Sequence, residues 1–262
     1  MFYSRPVTAK RRAPEAAAKR RSSASGGRSK SPAPPNLDED EDVPASEEAE
    51  RKDRIIDVAI RLAEEGGFDN VRQRDVARQA GVALGTLYKS FRGKDDILAA
   101  ALYRETDALE QRMKRRPVTG EDAADRLGSL FQMLTKAILR KPNYARAVLK
   151  AMTSGEEVAG KVVSHQIKVR RMVLAAMRGA PPDEPGSEPP THDEIAVAML
   201  LQNIWFGALV GWNAGLFGQS GVVDQVRQAA ELLLAGAAAR GREDAVATKP
   251  QKKPARGKKS PK

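Results

Sequence analysis

Residues 75–91 read DVARQAGVALGTLYKSF, and this stretch decides the fold of the first part of the chain. Two short helical patterns meet at Gly81, whose missing Cβ permits the tight turn between them. Ala77 is small enough to let the second helix cross the first closely. Leu87 and Phe91 are four residues apart, so they share a helical face that anchors the second helix. The pattern predicts a helix-turn-helix.

The opposite side of the second helix carries polar and basic side chains: Thr86, Tyr88 and Lys89. A helix held by one face and polar on the other fits the major groove of DNA, where phosphate contacts fix its register and a few side chains read base edges. We therefore expect the chain to bind duplex DNA.

The longer segment VRQRDVARQAGVALGTLYKSFRGKDDIL, from Val71 to Leu98, resembles the DNA-binding domain of TetR-family transcriptional regulators. The resemblance implies that Thr86, Tyr88 and Lys94 hold phosphates. It also implies that Ala83, Leu84, Gly85 and Lys89 lie where bases are met, with Lys89 the candidate for a guanine contact. Arg74 is a further expected DNA contact.

One position departs from the family pattern. Residue 72, where the family often has a threonine that caps a helix and touches a phosphate, is Arg72. An arginine side chain has no acceptor for an orphan backbone N–H, so we expect no cap there, although the side chain can still reach a phosphate.

The charge distribution separates tails from a structured middle. Residues 1–36 hold nine basic residues against Glu15, and residues 37–50 hold eight acids, while the last 23 residues carry most of the net charge of +11. Segments of this composition bury too little apolar surface to offset ordering entropy. We predict a disordered tail at 1–46, a DNA-binding domain at 47–95, a regulatory and dimerisation domain at 96–240 and a disordered basic tail at 241–262.

Helical periodicity continues through the second domain, and no strand pattern occurs. The expected helices span about 47–65, 94–116, 121–140 and 223–240, with a short helix from Pro142. Possible capping boxes, Ser154 with Glu157 and Thr191 with Glu194, open two more helices. The prediction is an all-α protein of about nine helices, with an N-terminal three-helix DNA-binding domain.

Two motifs suggest other functions. GEEVAGKV, residues 155–162, nearly matches a phosphate-binding loop, but Val162 replaces the metal-binding hydroxyl and a helical pattern precedes it. The uncharged span 195–223 is long enough to cross a bilayer, and glycines repeat at a spacing found between membrane helices. Its three interior amides favour a buried helix, and in the TetR family the last two long helices form a dimer interface. We expect neither nucleotide binding nor a membrane span.

The chain has no cysteine and two histidines without helical spacing to each other, so we expect no metal site and no cofactor. No nucleophile or acid–base constellation is recognisable, and an enzyme is not expected. The N-terminus lacks an apolar signal core, which favours a cytoplasmic protein.

The segments LGSLFQMLTKAILRKPNYARAVLKAMTSG and QNIWFGALVGWNAGL also resemble regulators of cholesterol catabolism of the KstR type. That resemblance implies a large apolar effector such as an acyl-CoA or a steroid derivative. The expected lining residues are Phe131, Met152, His165, Trp205, Phe206 and Trp212. Plain core packing is the alternative for all of them.

The prediction is a ligand-responsive homodimeric repressor that binds an inverted-repeat operator, with two recognition helices in successive major grooves. The alternative is an architectural or nucleoid-associated DNA binder whose second domain binds a protein. Selectivity for specific DNA over random DNA distinguishes the two.

Overall fold

The computed structural model describes residues 44–153, 159–181 and 188–247, and every element within them is a helix or a helix connection. The helices are α1 Ala45–Asn70, α2 Gln73–Ala80, α3 Leu84–Ser90, α4 Lys94–Arg115, α5 Ala123–Leu139, α6 Pro142–Met152, α7 Ala159–Arg178, α8 His192–Asn213 and α9 Gln219–Ala247. The prediction of an all-α chain of about nine helices is confirmed for this part of the sequence.

Helix α1 begins close to the predicted place but ends later. Glu47 and Glu48 lie in its first turn, where carboxylates are favourable. At Gly66 and Gly67 the backbone leaves the helical region, and a last turn then continues to Asn70. The predicted end of the first helix therefore falls where its regular backbone breaks, with φ of 70° at Gly67. The Asn70 Nδ2 group donates a hydrogen bond of 2.9 Å to the Leu62 carbonyl across this break.

Helix α4 connects the two parts of the chain. Its first turn follows α3, the recognition helix of the helix-turn-helix. Its buried residues Ile97, Leu98 and Leu102 continue into the second part, where α4 packs on α6 and α7. Helix α4 runs unbroken from the predicted boundary at residue 95 into the second part and also contacts α1 of the head formed by α1, α2 and α3.

The ends of α7 and α8 are fixed by polar contacts. Arg126 of α5 donates hydrogen bonds of 2.7 and 2.8 Å to the carbonyls of Ala176 and Met177 in the last turn of α7. The Arg178 guanidinium binds the Glu194 carboxylate, with both nitrogen–oxygen distances at 2.8 Å. The Arg126 contacts satisfy carbonyls that the C-terminus of α7 leaves without partners, and the Arg178 pair joins that end to the start of α8.

The predicted capping box of α8 is present: the Thr191 hydroxyl accepts from the Glu194 backbone N–H, and the Glu194 carboxylate accepts from the Thr191 backbone N–H. The capping box at Ser154 and residues 155–158 of the motif that resembles a phosphate-binding loop lie outside the described residues. So do residues 1–43 of the tail predicted at 1–46 and residues 248–262 of the tail predicted at 241–262. Residues 45–46 and 241–247 were also assigned to these tails, but they are helical, in α1 and α9. Helix α9 begins four residues before the predicted Val223 and continues beyond Arg240.

Helix α8 is the one described helix with the length and hydropathy of a membrane span, and 39% of its apolar window is buried within the molecule. One such helix is weak evidence for a span, because a core helix has the same composition. Its buried residues Val197, Leu201 and Trp205 pack in the main core, where α8 contacts α7 and α9.

Candidate functional site

The helix-turn-helix forms as the sequence predicts. Gly81 ends α2 in the left-handed conformation, with φ of 67°, a value that side chains with a Cβ rarely adopt. Val76 and Ala77 of α2 are buried, and Leu87 and Phe91 bury the inner side of α3, with Leu87 fully inaccessible. These apolar contacts hold the inner face of α3 against the core.

The other face of α3 is open to solvent. Ala83, Gly85, Tyr88 and Lys89 are exposed, and Leu84 and Thr86 are half-buried. Tyr88 exposes 51% of its surface, which is unusual for a tyrosine in a helix that packs on a core. Four of the residues assigned to DNA by family resemblance are therefore exposed to solvent, whereas Leu84 packs partly against the core.

Arg72 and Arg74 extend this surface at the start of α2, and both are exposed. Arg72 is the N-cap residue and its side chain makes no capping hydrogen bond, which confirms the expectation from its chemistry. Its backbone carbonyl instead accepts hydrogen bonds from the N–H groups of Asp75 and Val76, each at 2.9 Å.

Lys94 is the first residue of α4, and its ammonium group has partners inside the protein. The Nζ atom donates to the Phe68 carbonyl at 3.2 Å, lies 3.9 Å from the centroid of the Phe68 ring and is 3.6 Å from Asp69 Oδ1. Its side chain is 28% exposed. A phosphate contact by this residue therefore requires the ammonium to share or exchange these partners.

Comparison with known proteins gives the same assignment for both halves of the chain. Residues 55–101 match the family model for bacterial regulatory proteins of the tetR family, and residues 120–233 match the tetracyclin repressor-like C-terminal domain. The HTH-type transcriptional repressor KstR of Rhodococcus jostii is 32% identical over 211 residues, which cover 80% of this chain and 94% of that protein.

The chain belongs to the TetR family. The KstR repressor of Mycobacterium tuberculosis is 30% identical over 62% of this chain and 71% of its own length. A crystal structure of a TetR transcriptional regulator from Rhodococcus sp. RHA1 matches with a TM-score of 0.63 and 25% identity, covering 72% of this chain and 97% of that one. The protein is accordingly a DNA-binding transcriptional repressor, and the relatives are regulators and not enzymes.

Two cavities lie in the second domain of this TetR-family protein. The larger, about 740 Å³, opens between α4 and α5 and has exposed basic residues at its edge, Arg112, Lys136 and Arg140. The smaller, about 210 Å³, lies among α6, α7 and α8. The residues that line both are Leu102, Ile138, His165 and Trp205, so the two cavities are separated by a single layer of side chains.

Four of the six residues predicted to line a pocket come together at the smaller cavity: Met152, His165, Trp205 and Phe206. Phe131 and Trp212 line neither of these two cavities. Phe131 is fully buried, with its ring centroid 5.8 Å from that of Trp205, so it supports the cavity wall from behind. The Trp212 ring instead lies under the Arg146 guanidinium at 5.0 Å.

His165 is the polar centre of this wall. Its Nδ1 atom is 2.8 Å from the Thr106 hydroxyl oxygen, and that oxygen is 2.7 Å from the Leu102 carbonyl. Since the hydroxyl has one proton and the helical carbonyl accepts it, Nδ1 donates and Nε2 remains an acceptor. Burial lowers the pKa of His165 to about 4, so the imidazole is neutral at physiological pH.

Sequence reasoning missed several cavity residues, among them Thr106, Gln166 and Gln202. The Gln202 side chain donates to the Gln166 carbonyl at 2.9 Å and joins α8 to α7. The spacing of polar residues along a helix does not show whether their side chains line a cavity or lie on a solvated surface. Within the described residues, no group of three or more histidine, cysteine or acidic side chains is arranged to hold a metal.

Proposed function

We propose that the protein acts in the cytoplasm as a homodimer that represses transcription from an inverted-repeat operator and is released by an apolar effector. The observation that carries the proposal is the two-sided recognition helix: Leu87 and Phe91 are buried, while Tyr88 and Lys89 are exposed. A rigid helix with an open face presents the same side chains to each operator half-site.

The expected contacts divide into two classes. Lys89 meets a base edge, and Ala83, Leu84 and Gly85 face the bases without strong polar readout. The phosphate-contacting residues are Arg72, Arg74, Thr86, Tyr88 and Lys94, which set position without reading sequence.

Fluorescence anisotropy with the protein's own promoter region and with random DNA tests this division. Tyr88→Ala and Lys94→Ala should weaken binding to both DNAs similarly, whereas Lys89→Ala should reduce the preference for one operator position. Arg240→Ala, which removes a positive charge from α9, is the matched control. A wild-type protein that binds promoter and random DNA equally well would refute the repressor and favour an architectural role.

The homodimer is proposed from an apolar surface on α8 and α9. Met199, Leu200 and Val210 of α8 and Leu232 of α9 are exposed at 45–69%. Large apolar side chains concentrated on one pair of helices are typical of an interface between subunits.

Light scattering with Leu200→Glu tests the interface. A dimer in the wild type that becomes a monomer in Leu200→Glu would support it. Val163→Glu is the control, because Val163 is 52% exposed but lies on α7. If both variants remain dimeric, subunits associate through another surface.

The effector is proposed from the two adjoining cavities. The smaller one is lined largely by apolar side chains, including Leu149, Met152 and Phe206, and the larger one is edged with basic groups. A ligand with an apolar body and an anionic end, such as an acyl-CoA or a steroid acid, matches this distribution. The resemblance to KstR-type repressors favours the same classes.

Thermal unfolding with palmitoyl-CoA and with a cholestenoic acid tests the site. Either ligand should raise the melting temperature of the wild type. Val162→Trp, which fills the smaller cavity, should abolish this effect, while Val163→Trp on the exposed neighbouring position should retain it. A ligand effect that survives Val162→Trp would place the ligand elsewhere.

A further inference from the structure

Lys161 of α7 links the second domain to the end of the recognition helix. Its ammonium group hydrogen-bonds Asp96 Oδ1, and it also lies 5.9 Å from the centroid of the Phe91 ring. The other carboxylate oxygen, Asp96 Oδ2, accepts the Arg92 backbone N–H at 3.1 Å. One carboxylate therefore joins Lys161 of α7 to the backbone of Arg92, the second residue after α3.

This junction determines the direction of the recognition helix. Phe91 is the residue that ends α3, and Gly93 is the residue that precedes α4, so only Arg92 separates them. Holding the Arg92 N–H fixes the angle between the two helices. Asp96 lies in the first turn of α4, where a carboxylate is already favourable, and Lys161 adds the partner from the second domain.

The ion pair is unlike a second lysine contact between the two domains. Lys150 of α6 approaches Asp69 at 3.4 Å, but the Asp69 side chain is 84% exposed, so solvent screens the pair. The Asp96 side chain is 6% exposed, and a buried carboxylate loses much more when its partner leaves. Lys161 therefore supplies the stronger of the two contacts.

Lys161 is also adjacent to the smaller cavity. The next residue, Val162, lines that cavity, and so do His165 and Gln166 one turn further along α7. A ligand that displaces this part of α7 moves the Lys161 ammonium with it.

We propose that Lys161 is a positioning residue for DNA recognition, which holds the C-terminal end of the recognition helix through Asp96 and couples that helix to the smaller cavity. The positioning requires only that the protein binds DNA through α3. The coupling rests on the proposed effector site.

Binding of the full chain to promoter and random DNA, at one salt concentration, tests the positioning. Lys161→Met should reduce the ratio of promoter to random affinity by about ten-fold, because a misdirected helix loses base contacts before phosphate contacts. Lys161→Arg should restore the ratio. Lys150→Met, the exposed counterpart, should leave it nearly unchanged.

Asp96→Asn and the double variant with Lys161→Met complete a double-mutant cycle. If the two residues act through each other, the double variant loses no more selectivity than the stronger single variant. Circular dichroism at the assay temperature confirms folding, and if Asp96→Asn is unfolded, the Lys161→Met and Lys161→Arg pair decides. An unchanged ratio in folded Lys161→Met overturns the proposal.

Release from promoter DNA by palmitoyl-CoA tests the coupling separately. The coupling predicts that palmitoyl-CoA raises the melting temperature of wild type and releases it from promoter DNA. It also predicts that palmitoyl-CoA raises the melting temperature of Lys161→Met equally but releases this variant from DNA much less. Equal release of both proteins overturns the coupling while the effector site stands. If palmitoyl-CoA neither stabilises nor releases the wild type, this effector and its coupling are both wrong, and the positioning is decided by the DNA measurements alone.

Discussion

The interface between α4 and α7 and the contacts of α8 hold the same domain together by different means. Helix α7 meets α4 through ion pairs and a buried hydrogen bond, from Lys161 with Asp96 to Arg171 with Glu110. Helix α8 has no charged residue after Glu194, and its buried face is apolar apart from the Trp205 indole N–H. Helix α4, which connects to the DNA-binding head, is held against α7 by ion pairs and a hydrogen bond, whose geometry is directional. Helix α8 is held mainly by burial of apolar surface, which has no preferred direction and is compatible with packing on other apolar surfaces.

The largest expected effect is at Glu110, which is 1% exposed and lies 3.2 Å from Lys168 Nζ and 3.3 Å from Arg171 Nε. Glu110→Ala removes this buried carboxylate from both cations, of which Lys168 keeps its pair with Asp107, and should cost about 3 kcal/mol in the free energy of unfolding. Urea unfolding followed by circular dichroism measures it. Glu48→Ala, in the exposed pair with Lys52, should leave the free energy of unfolding nearly unchanged, and equal losses would show that burial gives the α4 and α7 pairs no special weight.

Low pH should reduce the free energy of unfolding through His165, which lies in the interface between α4 and α7. Its pKa is about 4 in the folded protein and 6.5 in an unfolded chain, so the unfolded state binds a proton first as pH falls. Its contribution is complete above pH 6.5 and is lost as pH falls toward 4, a loss of about 2 kcal/mol by pH 5. Unfolding of wild type and His165→Asn at several pH values isolates this residue. Parallel pH profiles would show that the imidazole does not titrate as a buried group.

A smaller effect is expected at the buried hydrogen bond of α8, between Trp205 and Thr135. Trp205→Phe removes the hydrogen bond of 2.9 Å to the Thr135 hydroxyl, and Thr135 is fully buried. The unpaired hydroxyl should cost about 1–2 kcal/mol. In a double-mutant cycle with Thr135→Val, the combined loss should be less than the sum of the single losses. Strict additivity would indicate that the hydrogen bond contributes nothing beyond packing.

The smallest effect concerns the polar start of α8. Thr191→Ala removes one half of the capping box and should cost about 1 kcal/mol, while Thr191→Ser should be nearly neutral. Thermal unfolding of the two variants gives the comparison. If serine is as damaging as alanine, the threonine methyl group and not the hydroxyl oxygen stabilises this end.

The DNA-binding head could be predicted almost residue by residue, because its determinants are local. Gly81, Leu87 and Phe91 occur within eleven residues, and each has a role that sequence spacing alone specifies. The cavity could be predicted only in part. His165 stood out as a polar residue on an apolar stripe, but its partner Thr106 is 59 positions away, and Lys161 is 65 positions from Asp96. Pairings at such separations depend on how helices pack, which no periodicity records.

The two ends of α7 are held by different numbers of contacts, so a tilt of this helix would displace its N-terminal end more than its C-terminal end. Arg126 clamps its last turn and the Arg178 pair with Glu194 ties it to α8, so the C-terminal end is a pivot. Lys161 lies about 25 Å from that pivot, and a tilt of about 3° there displaces its ammonium by more than about 1 Å, enough to break a hydrogen bond. A ligand inserted beside Val162, at the same end of the helix, would displace the Lys161 ammonium by nearly the same distance as Val162 itself.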